Sequence, residues 1–157
     1  MNAAGGAVDG VEPAAAPINR MGMAVMALIG VIISAYLLMH KLGIIGSVLC
    51  GTGSCELVQA TKWASFLGVP VPLWGMVGYG AILAAAVSGI QPGRGTDRRL
   101  ALVLLAGSTG AFLFSLYLSA IEAFVIDAWC RWCIGSAVVA TLLFLLSLPE
   151  YRRWRAR

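Results

Sequence analysis

The chain has 157 residues, of which 60% are hydrophobic and 11% charged, and its formal net charge is +4. Soluble domains carry about 25% charged residues, so most of this chain is expected to sit in lipid; four or five spans would use up its length and exclude a second folded domain. Eight of the eleven basic residues, Arg20, Arg94, Arg98, Arg99, Arg152, Arg153, Arg155 and Arg157, flank apolar runs. Basic residues so placed fix membrane orientation, which argues against nucleic acid as a partner.

Residues 1–20 are rich in Ala, Gly and Pro without apolar periodicity and read as a disordered tail. No basic segment precedes a short apolar run there, so a cleaved signal peptide is not expected. Met21 to Met39 is free of charge and close to the roughly 20 residues that span a bilayer core, which predicts a first transmembrane helix. A loop from His40 to about Val69 follows. It holds Cys50-Gly-Thr-Gly-Ser-Cys55, with glycines that keep the backbone between the thiols pliable. Glu56 to Phe66 reads as a short interfacial helix.

Pro70 and Pro72 introduce the second span, about Leu73 to Ile90, where Gly75, Gly78 and Gly80 predict close helix packing. Gln91 to Arg99 is a polar turn. The third span runs from Leu100 to about Ile126, interrupted by Glu122, with Gly107 and Gly110 as small contact points. Asp127-Ala128 forms a tight turn, Trp129 to Leu148 is the fourth span, and Pro149-Glu150 is expected to stop it before a basic tail at 149–157. The expected fold is an all-α membrane protein. It is a four-transmembrane-helix bundle over 21–148, with a cysteine-bearing extracytoplasmic loop.

Four spans put both termini on one side, together with the eight arginines, and the positive-inside rule makes that side cytoplasmic. Cys50, Cys55, Cys130 and Cys133 then all face outside, where disulfides persist. Cys130 and Cys133 stand three residues apart at a helix mouth, on one face, where the helix N-terminus favours thiolate.

Three chemistries fit two cysteine pairs. The first is a thiol relay from the loop pair to the helix pair and on to a quinone held in an apolar pocket of the bundle. The second is a set of inert structural disulfides. The third is a zinc site with all four cysteines as ligands, since a C-x-x-C alone serves both redox and metal sites. Glu122 and Asp127 read as a wetted flank, His40 as an interfacial residue, and Trp63, Trp74, Trp129 and Trp132 as an aromatic belt. Phe112, Phe114 and Tyr117 read as bundle packing.

Cys50 and Cys55 are followed by Thr61, then Gly68-Val69-Pro70 and Leu73-Trp74-Gly75, and Cys130-Arg131-Trp132-Cys133 comes late, at the last span. In order and spacing this resembles the bacterial vitamin K epoxide reductase family of quinone-coupled, disulfide-forming membrane proteins, over residues 21–148. The DsbB family shares the logic but carries its C-x-x-C in the earlier loop.

The resemblance implies a four-helix bundle around a quinone, menaquinone or ubiquinone, in a bacterial cytoplasmic membrane. By the same resemblance Cys133 is the quinone-proximal thiolate, Cys130 its exchange partner, and Cys55 the residue that bridges to Cys130. Cys50 exchanges with a separate thioredoxin-like or DsbA-like extracytoplasmic protein. Thr61 takes the place of the family's loop Ser/Thr at the quinone site. Vertebrate members carry an asparagine before the Leu73-Trp74-Gly75 counterpart and a tyrosine four residues after the last cysteine. Here those places hold Pro72 and Ala137, so plain quinone reduction is implied rather than epoxide reduction.

Overall fold

Apolar runs bounded by turn residues fold into four long helices and a short one. The computed structural model describes residues 15–51, 53–91 and 97–155; the expectations for residues 1–14, Arg94 and Arg157 lie outside the described residues. The helices are α1 (Ala15–Lys41), α2 (Cys55–Ala60), α3 (Val71–Ile90), α4 (Arg98–Ile121) and α5 (Arg131–Arg155). α1, α3, α4 and α5 are long and apolar enough to cross a bilayer, and the protein is an all-α membrane bundle.

The long helices alternate in direction and form a ring in which α1 packs on α3 and α5, and α4 on α3 and α5; α3 and α4 touch least. On α1 the inward stripe is Met23, Ala27, Gly30, Ser34 and Leu37, at helical spacing, while Val25, Leu28 and Ile32 face outward. Lipid gives no hydrophobic drive for helix association, so close van der Waals contact must hold the ring. Gly30 provides it: a Cβ there would lie 2.6 Å from the Tyr79 ring of α3. Gly107 lets the Ile82 side chain approach in the same way. Gly78, Gly80 and Gly110 do not pack as the sequence suggested; a Cβ at any of them would meet nothing within 4 Å.

Both the start of α1 and the end of α5 differ from expectation, and each carries a tertiary contact. Residues 15–20, read as tail, are the first turns of α1. Arg20 is buried and donates to the Gly89 carbonyl at 2.9 Å, a cation at the negative end of α3. α5 does not stop at Pro149 but continues to Arg155. Pro149 lacks the N–H that would serve the carbonyl four residues back, and Asn19 donates to the neighbouring Leu146 carbonyl at 2.8 Å. α4 starts where expected, with Asp97 accepting from the Arg99 N–H at 2.9 Å as an N-cap.

Between α1 and α3 the loop is more ordered than its glycines suggested. α2 is followed by a 3-10 turn, Lys62–Ala64, and a two-stranded hairpin, β1 (Ser65–Phe66) and β2 (Val69–Pro70), paired Ser65 with Pro70 and Phe66 with Val69. Leu67 and Gly68 both take positive φ, 55° and 77°, as a two-residue hairpin turn requires. Lys41 donates to the Gln59 carbonyl at 2.6 Å and ties the end of α1 to α2.

Candidate functional site: two dithiols at the head of an apolar cavity

The turn between α4 and α5 sets the site. α4 ends in a π-helical turn, Glu122–Ile126, closed by Asp127 in the left-handed region at φ 52°. The Ala128 N–H returns to the Glu122 carbonyl at 3.2 Å. Widened turns of this kind re-aim side chains, and they recur at functional sites. Here Glu122 is aimed inward: it is buried, and its Oε2 accepts from the Cys130 N–H at 3.2 Å. Its side chain lines the same cavity as Cys133. The reading of Glu122 as a wetted flank is therefore corrected. Asp127 is exposed, as expected.

α5 begins at Arg131, one residue later than a helix holding both thiols would. Cys130 precedes the helix, and its Sγ accepts from the Cys133 N–H at 3.4 Å, as a serine oxygen does in an N-cap. That donor, with the Cys133 thiol first among the causes, holds the Cys130 pKa below the ordinary thiol value, against burial and the Glu122 charge, which push it up. Cys130 is fully buried and Cys133 partly so, and both are free thiols.

Cys50 and Cys55 are joined as a disulfide, with Cα atoms 6.0 Å apart, and both are buried. The loop is held against the other pair at each residue that precedes one of its cysteines. Leu49 is gripped twice: its N–H donates to the Tyr36 hydroxyl at 2.9 Å, and its carbonyl accepts from Trp132 Nε1 at 3.0 Å. Ser54 donates its N–H to the Trp129 carbonyl at 3.0 Å. Trp129 and Trp132 are the neighbours of Cys130 and Cys133, so the fold brings the two pairs to one face. Trp132 is thus a clamp, with its ring 4.9 Å from that of Tyr36, rather than a member of a lipid belt. Trp129 is half exposed, in keeping with a belt position.

Beneath the cysteines lies a cavity of about 400 Å³, mostly apolar, between α3 and α4 and backed by α1 and α5. Cys133 and Glu122 stand at its head with Gln59 of α2, and Phe66 of the hairpin packs edge-on to Phe114 over it, with ring centroids 5.6 Å apart. Phe114 therefore lines the cavity, contrary to the sequence reading, whereas Phe112 stacks on Phe144 at 4.9 Å, as packing. Gly78 and Gly110, which meet no neighbour, keep the cavity wide. Pro72 lines it too.

Polar groups are few and placed. The Tyr79 hydroxyl crosses the interior to Ser136 of α5, at 2.9 Å from its carbonyl oxygen and 2.8 Å from its Oγ. Among the described residues, none hydrogen-bonds the buried Oε1 of Gln59. A flat, apolar ligand with a polar edge fits such a space, and a quinone is one: Gln59 Oε1 can accept from the O–H of its reduced form, and the Cys133 sulfur would meet its ring. Thr61 is not brought to the cavity. It is the C-cap of α2, and its hydroxyl donates to the Val58 carbonyl at 2.8 Å.

Sequence reasoning passed over Glu122, Gln59 and Tyr79. Only Glu122 carried a signal, as an acidic residue inside an apolar span, which is a functional-site pointer in itself. Gln59 and Tyr79 acquire their places through packing.

A membrane bundle that presents one closed and one open cysteine pair above an apolar cavity has the architecture of a membrane oxidoreductase. Comparison with known families agrees: the model of the vitamin K epoxide reductase family matches residues 21–148. The chain belongs to that family.

Proposed function

We propose that this protein oxidises protein thiols outside the cytoplasm and passes the electrons to a membrane quinone. One observation carries the reading: Cys133 stands at the head of the apolar cavity while the Cys50–Cys55 disulfide is clamped beside Cys130. A reduced thioredoxin-like partner gives two electrons to Cys50–Cys55 by thiolate attack on Cys50. With Cys130 and Cys133 first joined as a disulfide, Cys55, released as thiolate, attacks Cys130, which breaks that bond, forms Cys55–Cys130 and frees Cys133 as the thiolate facing the cavity. Cys50, freed when the partner's second thiol closes the partner's disulfide, then attacks Cys55 and leaves Cys130 and Cys133 as the open pair seen here. In balance, the partner's two thiols become a disulfide, and quinone takes two electrons and two protons to become hydroquinone. The quinone, when bound, supplies the oxidising capacity. The chain's own residues do the rest: Cys133 and Cys130 carry electrons, Gln59 and Tyr79 edge the pocket, and Phe66 excludes water over it.

The arginine-bearing ends of α1, α4 and α5 face the cytoplasm in this reading, and the cysteine end faces outward. Menaquinone and ubiquinone are the natural candidates. Thr61 acts by shaping the end of α2 beneath Gln59.

The test follows quinone absorbance in detergent. Wild-type protein is expected to consume oxidised quinone with either dithiothreitol or a reduced thioredoxin-like protein as donor. Cys130→Ala and Cys133→Ala are expected to be inactive with both. Cys50→Ala and Cys55→Ala should keep turnover with dithiothreitol and lose it with the protein donor. Loop variants equally inactive with both donors would break the division of labour, and no turnover by folded wild-type protein would return the cysteines to a structural role.

A further inference from the structure

The cavity has to manage protons as well as electrons, and its lining holds almost nothing that can. Among the described residues that line it, the ionisable groups are Cys133, Glu122 and Tyr79. Tyrosine gives up its proton only near pH 10, and the Tyr79 hydroxyl is engaged with Ser136. Glu122 is the one carboxyl. It is buried, is anchored beside the C-x-x-C by the Cys130 N–H at 3.2 Å, and lines the same space as Cys133. Two negative charges side by side in an apolar site are strongly disfavoured, so such a pair keeps one proton between its members.

We propose that Glu122 and Cys133 form a proton-sharing pair, in which Glu122 holds the proton that Cys133 gives up on becoming thiolate and delivers it to the quinone oxygen. The inference rests on the quinone reading above and adds a catalytic residue to it. Closing the Cys130–Cys133 disulfide forms one S–S bond and releases two electrons and two protons. The Cys133 proton travels through Glu122. The Cys130 proton leaves to water at the mouth, and a second proton returns from there to complete the hydroquinone. The π-helical turn serves this arrangement, because it brings Glu122 round to the cysteines. Among the described residues, the hydroxyl, amide and thiol groups that line the cavity with Glu122 are Ser34 on α1, Gln59 on α2, Tyr79 on α3, Ser115 and Ser119 on its own helix, and Cys133 and Ser136 on α5, with Cys130 bonded to Glu122 through its N–H. None of the described residues that line the cavity is a fixed cation that would hold Glu122 permanently as carboxylate.

Glu122→Gln separates this role from a structural one, since its amide oxygen can still accept from the Cys130 N–H. With dithiothreitol as donor and a short-chain benzoquinone as acceptor, kcat is expected to fall about 100-fold or more, as loss of a general acid–base group does, with KM for quinone within about threefold. Glu122→Asp keeps the ionisable group and should recover part of kcat. A second measurement needs no variant: the rate of Cys133 alkylation by N-ethylmaleimide, resolved by mass spectrometry, is followed against pH in the reduced protein. A shared proton gives two steps in wild type and one in Glu122→Gln. Glu122→Gln turnover within about threefold of wild type overturns the proposal, and so does a single-step profile in wild type. Wild-type protein that shows two steps yet reduces no quinone overturns the delivery step and the quinone reading, and leaves the shared proton standing.

Discussion

Gly30→Ala tests whether the cavity wall is set by the contact between α1 and α3. A Cβ on Gly30 would lie 2.6 Å, 2.6 Å and 2.8 Å from three Tyr79 ring atoms. Those atoms are at the base of a buried ring, which cannot swing clear as the end of a flexible chain can. Alanine is favoured over glycine in a helix by about 0.8–1.0 kcal/mol. Against this, overpacking costs about 1–3 kcal/mol, and a displaced Tyr79 loses its bonds to Ser136, about 1 kcal/mol each. The net expectation is a loss of about 2–4 kcal/mol, read as a lower midpoint of SDS-induced unfolding in mixed micelles. In a Tyr79→Ala background there is no ring to strike, and the same substitution should stabilise by about 0.5–1 kcal/mol. The reversal of sign is the diagnostic, and Gly30→Ala acting alike in both backgrounds would refute the packing argument. In otherwise wild-type protein, quinone turnover should fall with the displaced hydroxyl.

Three further outcomes are expected. Alkylation of Cys130 should rise with pH through a midpoint below that of an ordinary thiol, because thiolate accumulates above a lowered pKa; Cys133→Ala, which removes the leading cause, should move that midpoint upward in a maleimide titration. Thr61→Ala should cost about 1 kcal/mol in stability, from the lost hydroxyl bond to Val58, and leave the quinone KM unchanged in a steady-state assay. Asp97→Ala should cost about 1 kcal/mol by removing the α4 N-cap, seen in the same unfolding midpoint, with no effect on thiol reactivity at the far end of the bundle.

What was legible in the sequence was what composition and spacing encode locally. The four spans follow from charge-free runs of bilayer length, and the gathering of cysteines at one end follows from counting those spans. The pieces that escaped depend on partners far along the chain. Residues 15–20 look like tail until Arg20 meets Gly89 and Asn19 meets Leu146. Pro149 is an ordinary stop signal, yet α5 runs through it to Arg155, with Asn19 of α1 bonded to the Leu146 carbonyl just before it. Trp132 has the composition of a belt residue, and only the placement of Leu49, 83 positions away in sequence, makes it a clamp. Glu122 differs, because its burial arises from the turn that carries it. An acidic residue near the end of an apolar span is a functional-site pointer in itself.

Gly78 and Gly110 leave a gap between α3 and α4, and the outer residues of the cavity there, Trp74, Ala81, Val103 and Ala106, are themselves exposed on the lipid side of the ring. The cavity is thus a slot open to the bilayer along its flank. A ligand with a long isoprenoid tail can seat its ring while the tail stays dissolved among acyl chains, with nothing to thread through. Occupancy of such a slot is governed by mole fraction in the membrane, so the measured KM should follow the quinone-to-lipid ratio and stay indifferent to aqueous volume. Tail length should then matter chiefly through solubility, and the protein would draw on whatever quinone pool its membrane maintains.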